Sequence, residues 1–266
     1  MKLQMFQVDA FTEQVFGGNP AAVCPLTNWL DDALLQRIAE ENNLSETAFF
    51  VPAGDGYQLR WFTPEEEVDL CGHATLAAAH VLYSQLGFHQ PELVFSTRSG
   101  LLRVTRTDKG YQLDFPASMP QPVSAPAELI AGLGQAPQEV LAAFDYIAVY
   151  PTADEIKALA PDFEQLKKLG LRGVVATAPA PSKDKDVDFV SRCFFPKLRV
   201  NEDPVTGSAH CQLAPYWANK LGKEQLSAYQ ASKRGGAIHC QLTANRVLLS
   251  GQAVDFMQGE ISLVSL

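Results

Sequence analysis

Positive charge is scarce in this chain. Its 266 residues carry 21 Lys and Arg against 30 Asp and Glu, a formal net charge of -9. No basic cluster interrupts that balance, which excludes a nucleic-acid protein built on a basic stripe. Long apolar runs are missing as well: the longest uncharged stretch, around Leu70 to Gly87, is too polar for a membrane span. The opening MKLQMFQVDAFTEQVF alternates as a strand does and lacks the apolar run of a signal peptide, so a cytoplasmic location is expected. Cysteines number only five, an odd count without framework spacing, which fits reduced thiols rather than a disulfide scaffold. The aromatic residues form no stripe on which nucleotides would stack. Three His/Cys groupings, Cys71 with His73, His210 with Cys211 and His239 with Cys240, lack the spacing of a zinc site, so no metal is expected. His80 and His89 read as helix-flank and loop residues.

What is present is ample apolar material: 47% of the chain is hydrophobic, enough to core one large domain or two ordinary ones. The second half also lies over the first at a shift of roughly 130 residues. QLRWFTP (Gln58 to Pro64) answers FVSRCFFP (Phe189 to Pro196), both reading as strands entering a turn. GHATLAAAHVLYSQLG (Gly72 to Gly87) lies over GSAHCQLAPYWANKLG (Gly207 to Gly222), two helices of equal length with glycine at each end. RSGLLRVTRTDKGYQL (Arg98 to Leu113) lies over RGGAIHCQLTANRVLL (Arg234 to Leu249), strand residues around a polar turn. Near the start of each half sits a surface helix, one capped by Asn28 and ending near Asn42 and Asn43, the other with Thr152 and Glu155 as a capping box. The proline-rich segment from Pro116 to Gln138 is the expected linker.

These patterns predict an α+β protein of two pseudo-symmetric lobes. The N-terminal lobe spans residues 1–117, joined by a C-terminal strand at about 258–266, and the C-terminal lobe spans 118–257. In the first helix Ala74, Ala77, Ala78, Val81 and Leu82 fall on one face, so the buried surface is mainly methyl groups and fits where strands come close. Helices opening at Gly72-His73 and Gly207-Ser208 would present unpaired backbone N–H groups and a positive dipole end to a small carboxylate. His73 in one half corresponds to Ser208 in the other, and the second half carries three extra residues, Asp203 among them, before its glycine.

FGGNPAAV (Phe16 to Val23), LSETAFF (Leu44 to Phe50), DLCGHAT (Asp69 to Thr75) and NEDPVTGSAH (Asn201 to His210) together resemble the phenazine-biosynthesis-like family, PhzF-like proteins of the diaminopimelate epimerase fold. The resemblance runs in order along nearly the whole chain. It implies two lobes, each a curled, mostly antiparallel sheet around a central helix, an active site between them, no cofactor, and a homodimer. The family's biosynthetic member is an isomerase that shifts a hydrogen along an unsaturated cyclic carboxylate. Its catalytic glutamate matches Glu46, and its histidine, aspartate and serine match His73, Asp203 and Ser208.

The residues themselves are compatible with those roles and with plainer ones. Glu46 precedes the apolar run TAFFV, where desolvation would raise a carboxylate's pKa and suit it to take a C–H proton; apart from the resemblance it reads as an exposed strand-start carboxylate. His73 either caps its helix or reaches a ligand bound at Gly72. Asp203 is a turn residue before Pro204, a helix-cap carboxylate, or the group that orients His73 or meets a polar substituent. Ser208 is read as a binding residue, with Gly72, His73, Gly207 and Asn19, while Arg234 and His210 have no assigned role. The expected reaction is a cofactor-independent proton shift on a small unsaturated or cyclic carboxylic acid. Two alternatives stand beside it. One is a thiol-based epimerase using Cys71, against which Thr206 occupies the place its partner thiol would need. The other is a non-catalytic metabolite- or protein-binding module.

Overall fold

The alternating amino terminus forms β1 (Lys2–Ala10), whose odd and even side chains face opposite sides of a sheet. It pairs antiparallel with β2 (Asn19–Pro25) on one side and with the last strand, β18 (Ala253–Ser262), on the other. The computed structural model describes residues 1–181 and 183–263. It divides into two units, Met1–Asp114 with the stretch from Ser250, and Phe115–Leu249. Among the described residues no helix is long and apolar enough to cross a membrane.

In the first unit α1 (Asp32–Asn42) follows β2 and leads to β3 (Glu46–Ala53), β4 (Gly56–Phe62) and the short β5 (Glu67–Val68). Helix α2 (Gly72–Ser84) then precedes β6 (Glu92–Thr97), β7 (Gly100–Thr107) and β8 (Gly110–Pro116). β2 and β3 run parallel, as do β4 and β6, and each is interleaved with antiparallel neighbours. From His73 to Tyr83 every residue of α2 is buried, because the helix packs against β1, β2, β3 and β18. Alanines on all sides make that possible, since side chains no larger than a methyl let strands approach closely. α1 covers other strand residues with Leu35, Ile38 and Ala39, packed with Cys24, Phe49 and Phe62.

The second unit begins with β9 (Gln121–Pro122), α3 (Ala127–Leu133), β10 (Glu139–Ala142) and β11 (Tyr146–Val149). Two short helices, α4 (Ala153–Ala158) and α5 (Phe163–Leu166), lead to β12 (Val174–Pro179), β13 (Phe189–Phe195) and β14 (Val200–Asp203). Helix α6 (Gly207–Leu221) is followed by β15 (Gln225–Gln230), β16 (Gly236–Thr243) and β17 (Arg246–Gly251). Here β11 and β12 are parallel, as are β13 and β15. Leu129, Ile156, Leu166, Tyr150, Val174 and Phe194 belong to the core that α3, α4 and α5 close over these strands. Pro215 lies inside α6 and has no N–H to give the carbonyl of Cys211; the Ser118 N–H donates to that oxygen instead, at 2.9 Å.

Several expectations need correction. Asp31, not Asn28, caps α1, its carboxylate accepting from the Ala33 N–H; Asn43 ends the helix in the left-handed conformation. The Pro116 to Gln138 segment is not plain linker, since it contains β9 and α3. The closing strand starts at Ala253, because the full length of β1 requires partners from Ala253 to Ser262; residues 264–266 lie outside the described residues. His80 is no helix-flank residue: it is 8% exposed, with Nδ1 3.1 Å from the Tyr111 hydroxyl and Nε2 3.2 Å from Asp255.

Candidate active site

Parallel pairing of β2 and β3, with Ala21 opposite Glu46, puts the starts of both strands at one end of the sheet. Helix α2 opens there, so Asn19, Glu46, Cys71 and His73 converge. Reaching Asn19 takes a tight entry: Gly18 has φ +59°, and a Cβ on it would lie 2.1 Å from the Ala10 carbonyl oxygen. Asn19 is fully buried.

His73 is the hub. Its Nε2 lies 3.0 Å from Glu46 Oε2, with the imidazole side chain 7% and the carboxylate side chain 18% exposed. On the opposite ring edge Nδ1 is 3.2 Å from Asn19 Nδ2 and 3.5 Å from Cys71 Sγ. The Ser45 hydroxyl donates to Asn19 Oδ1 at 3.4 Å, which orients the amide. Burial by itself would take the proton off His73, but the charges that Cys71 and Glu46 can carry outweigh it, and His73 is held well above 6.5. Burial, followed by the Glu46 charge, pushes the Cys71 thiol up from 9.0.

Glu46, Cys71 and His73 also offer one oxygen, one sulfur and one nitrogen, all within 4.8 Å of one another, so the cluster has the donors to hold a cation. Spacing within the sequence misses this set because its carboxylate comes from a strand 25 residues before the thiol. Cys71 supplies the one thiol of this cluster.

In the second unit, Asp203, Gly207 and Ser208 gather at the start of α6. Asp203 accepts a hydrogen bond from the Thr206 hydroxyl. Gln230 clamps the turn: its Oε1 accepts from the Thr206 N–H at 2.9 Å and its Nε2 donates to the Asp203 carbonyl at 2.7 Å. Neither Thr206 nor Cys71 caps its helix with a side-chain hydrogen bond. His210 is fully buried, its Nδ1–H donating to the Thr206 carbonyl at 2.8 Å, and burial pushes it down to about 4. Its place is structural support beneath the helix start. The Ser208 hydroxyl accepts from Arg172 at 3.0 Å, a partner 36 positions away that no local pattern announces.

Known proteins bear on this arrangement in three ways. An uncharacterized isomerase from Pseudomonas aeruginosa is 54% identical over 263 residues, covering 99% of this chain and all of the relative. The crystal structure of a phenazine biosynthesis protein PhzF family member from Enterococcus faecalis matches with a TM-score of 0.95 at 49% identity, over 99% of this chain and all of that one. A probable proline racemase from Agrobacterium radiobacter shares the fold alone, with a TM-score of 0.61 at 13% identity over 98% of this chain and 93% of its own. The α+β fold is therefore the one common to PhzF proteins and proline racemase-like epimerases. A model of the phenazine biosynthesis-like protein family matches residues 8–259, and this chain belongs to that family.

Proposed function

We propose that the protein is an isomerase that moves a proton on a small unsaturated or cyclic carboxylic acid, using Glu46 as general base and acid. The observation that carries this reading is the Glu46–His73 contact at 3.0 Å, with the other ring edge held by Asn19 and Cys71. A mostly buried carboxylate beside an imidazolium is a costly arrangement that binding alone does not require. The isomerase relatives and the family membership support the same reaction class. Glu46 takes the proton from carbon next to an unsaturated or carbonyl system, and Glu46 or His73 returns it elsewhere. Uncapped amides at Gly72-His73 and Gly207-Ser208 receive the carboxylate and the charge that develops. Asp203 sets the Thr206 turn from which Ser208 projects. No cofactor takes part, the protein works in a reducing cytoplasm, and it functions as a homodimer, for which Phe256 and Met257, exposed on β18, offer apolar surface.

The thiol epimerase is the second reading, favoured only by Cys71 Sγ lying beside His73. Against it stands Thr206, together with a Cys193 thiol that burial pushes far up. Proton NMR in heavy water separates the two, with a panel of small unsaturated and amino carboxylic acids. Glu46→Gln is expected to lose about 10²- to 10⁴-fold in C–H exchange rate, while Cys71→Ser keeps exchange. Exchange that survives in Glu46→Gln and vanishes in Cys71→Ser would overturn the glutamate mechanism.

A further inference from the structure

We infer that Arg172 is the residue through which the second unit selects an anionic substrate, by orienting Ser208 and by presenting a free guanidinium nitrogen beside it. The inference rests on the reading of Gly207-Ser208 as a carboxylate site. Parallel pairing of β11 and β12 sets Tyr146 opposite Val174, so Asp145, directly ahead of β11, and Arg172, two residues ahead of β12, emerge together. Arg172 Nε and Nη2 donate to the two oxygens of Asp145 at 2.8 and 2.6 Å, a fork-to-fork pair. Asp145 is fully buried and is held from α6 as well: Gln212 Nε2 donates to it at 2.8 Å, and Gln212 Oε1 accepts from its N–H at 3.1 Å. Gln212 lies one turn after Ser208, so the network ties the guanidinium to the first turn of the helix. The rings of Phe144 and Phe195 flank Arg172, each with its centroid 5.1 Å from the guanidinium carbon.

A structural ion pair would be complete with Asp145. Arg172 does more: Nη2 also donates to Ser208 Oγ at 3.0 Å, and Nη1 has no partner among the described residues. Its side chain remains 34% exposed while that of Asp145 is 0% exposed. The carboxylate therefore locks the guanidinium from behind and leaves its outer edge for a ligand. A lysine cannot reproduce this, because a point charge cannot hold Asp145 and Ser208 in one plane.

The test is a titration of the full-length protein with benzoate and with its neutral counterpart benzamide, read on the backbone amide signals of Gly207 and Ser208. Wild type is expected to shift with benzoate and to prefer it over benzamide. Arg172→Gln should bind benzoate about 10-fold more weakly and lose most of the preference. Because that variant leaves Asp145 buried without its cation, Asp145→Asn/Arg172→Gln is measured beside it and should show the same loss. A merely structural arginine would lower the melting temperature and leave the benzoate-to-benzamide ratio unchanged, which would overturn the inference alone. Wild-type amides at Gly207 and Ser208 that ignore benzoate would overturn the carboxylate-site reading and this inference with it.

Discussion

His73 and His210 stand in opposite electrostatic situations, and the pH dependence of stability should separate them. His73 is raised above its ordinary 6.5 by the neighbouring charge, so the folded state binds its proton more tightly than the unfolded chain does. Its contribution is complete below pH 6.5 and is lost as pH rises through the higher folded value. His210, buried beneath α6, is depressed to about 4, so its contribution is complete above 6.5 and is lost on the way down to about 4. The second effect is worth roughly 3 kcal/mol by pH 4. Chemical denaturation across pH should show His73→Gln flattening the alkaline decline, while His210→Gln flattens the acid one. A variant slope equal to that of wild type in its own window would refute that assignment. At this scale Glu46 and His73 were legible in the sequence, because ETAFF and CGHAT match a family pattern. Cys71's place beside the imidazole and the Arg172 fork were not, since each joins residues whose proximity exists only after folding.

At the scale of elements, the approach to Asn19 is the most demanding piece of backbone in the first unit. Phe16 holds φ at +72°, unusual for a bulky residue, with its N–H donating to Asp9 Oδ2 at 2.8 Å, and Gly18 follows in the left-handed region. Gly18→Ala combines a strained φ with a Cβ driven into the Ala10 carbonyl, so a loss of about 2 kcal/mol or more is expected in thermal or denaturant unfolding. The same variant should broaden or shift the His73 ring signals, since Asn19 would no longer sit on Nδ1. A stability equal to wild type would show that the turn relaxes. Element boundaries followed the local code unevenly. Thr152 caps α4 as its capping box requires, its hydroxyl accepting from the Glu155 N–H at 3.3 Å. For α1, Asp31 sits nearer the buried Leu35 and Ile38 and takes the cap from Asn28, because packing decides which turn begins the helix.

For the whole molecule, the five cysteines make a single measurable statement. All five are buried and free, and burial pushes Cys24 and Cys211 up to about 12. A chromogenic disulfide reagent at neutral pH should therefore react slowly with the native protein and release five equivalents once it is unfolded. Fast native reaction of one thiol, mapped to Cys71, would mean that the site around His73 opens more than its burial implies. The family, the α+β class and the small-residue helix were determined by the sequence alone, which also nominated Glu46 and His73 as candidate site residues, because periodicity, glycine placement and short motifs are local properties that survive without coordinates. Tertiary structure decided the rest: that β1 claims its partner from Ala253 onward, that His80 is buried, that Glu46 reaches His73 Nε2, and that Asp145 turns Arg172 toward Ser208. Those outcomes depend on register and on burial of charge, which are settled by the competition among many distant contacts and are written in no single stretch of chain.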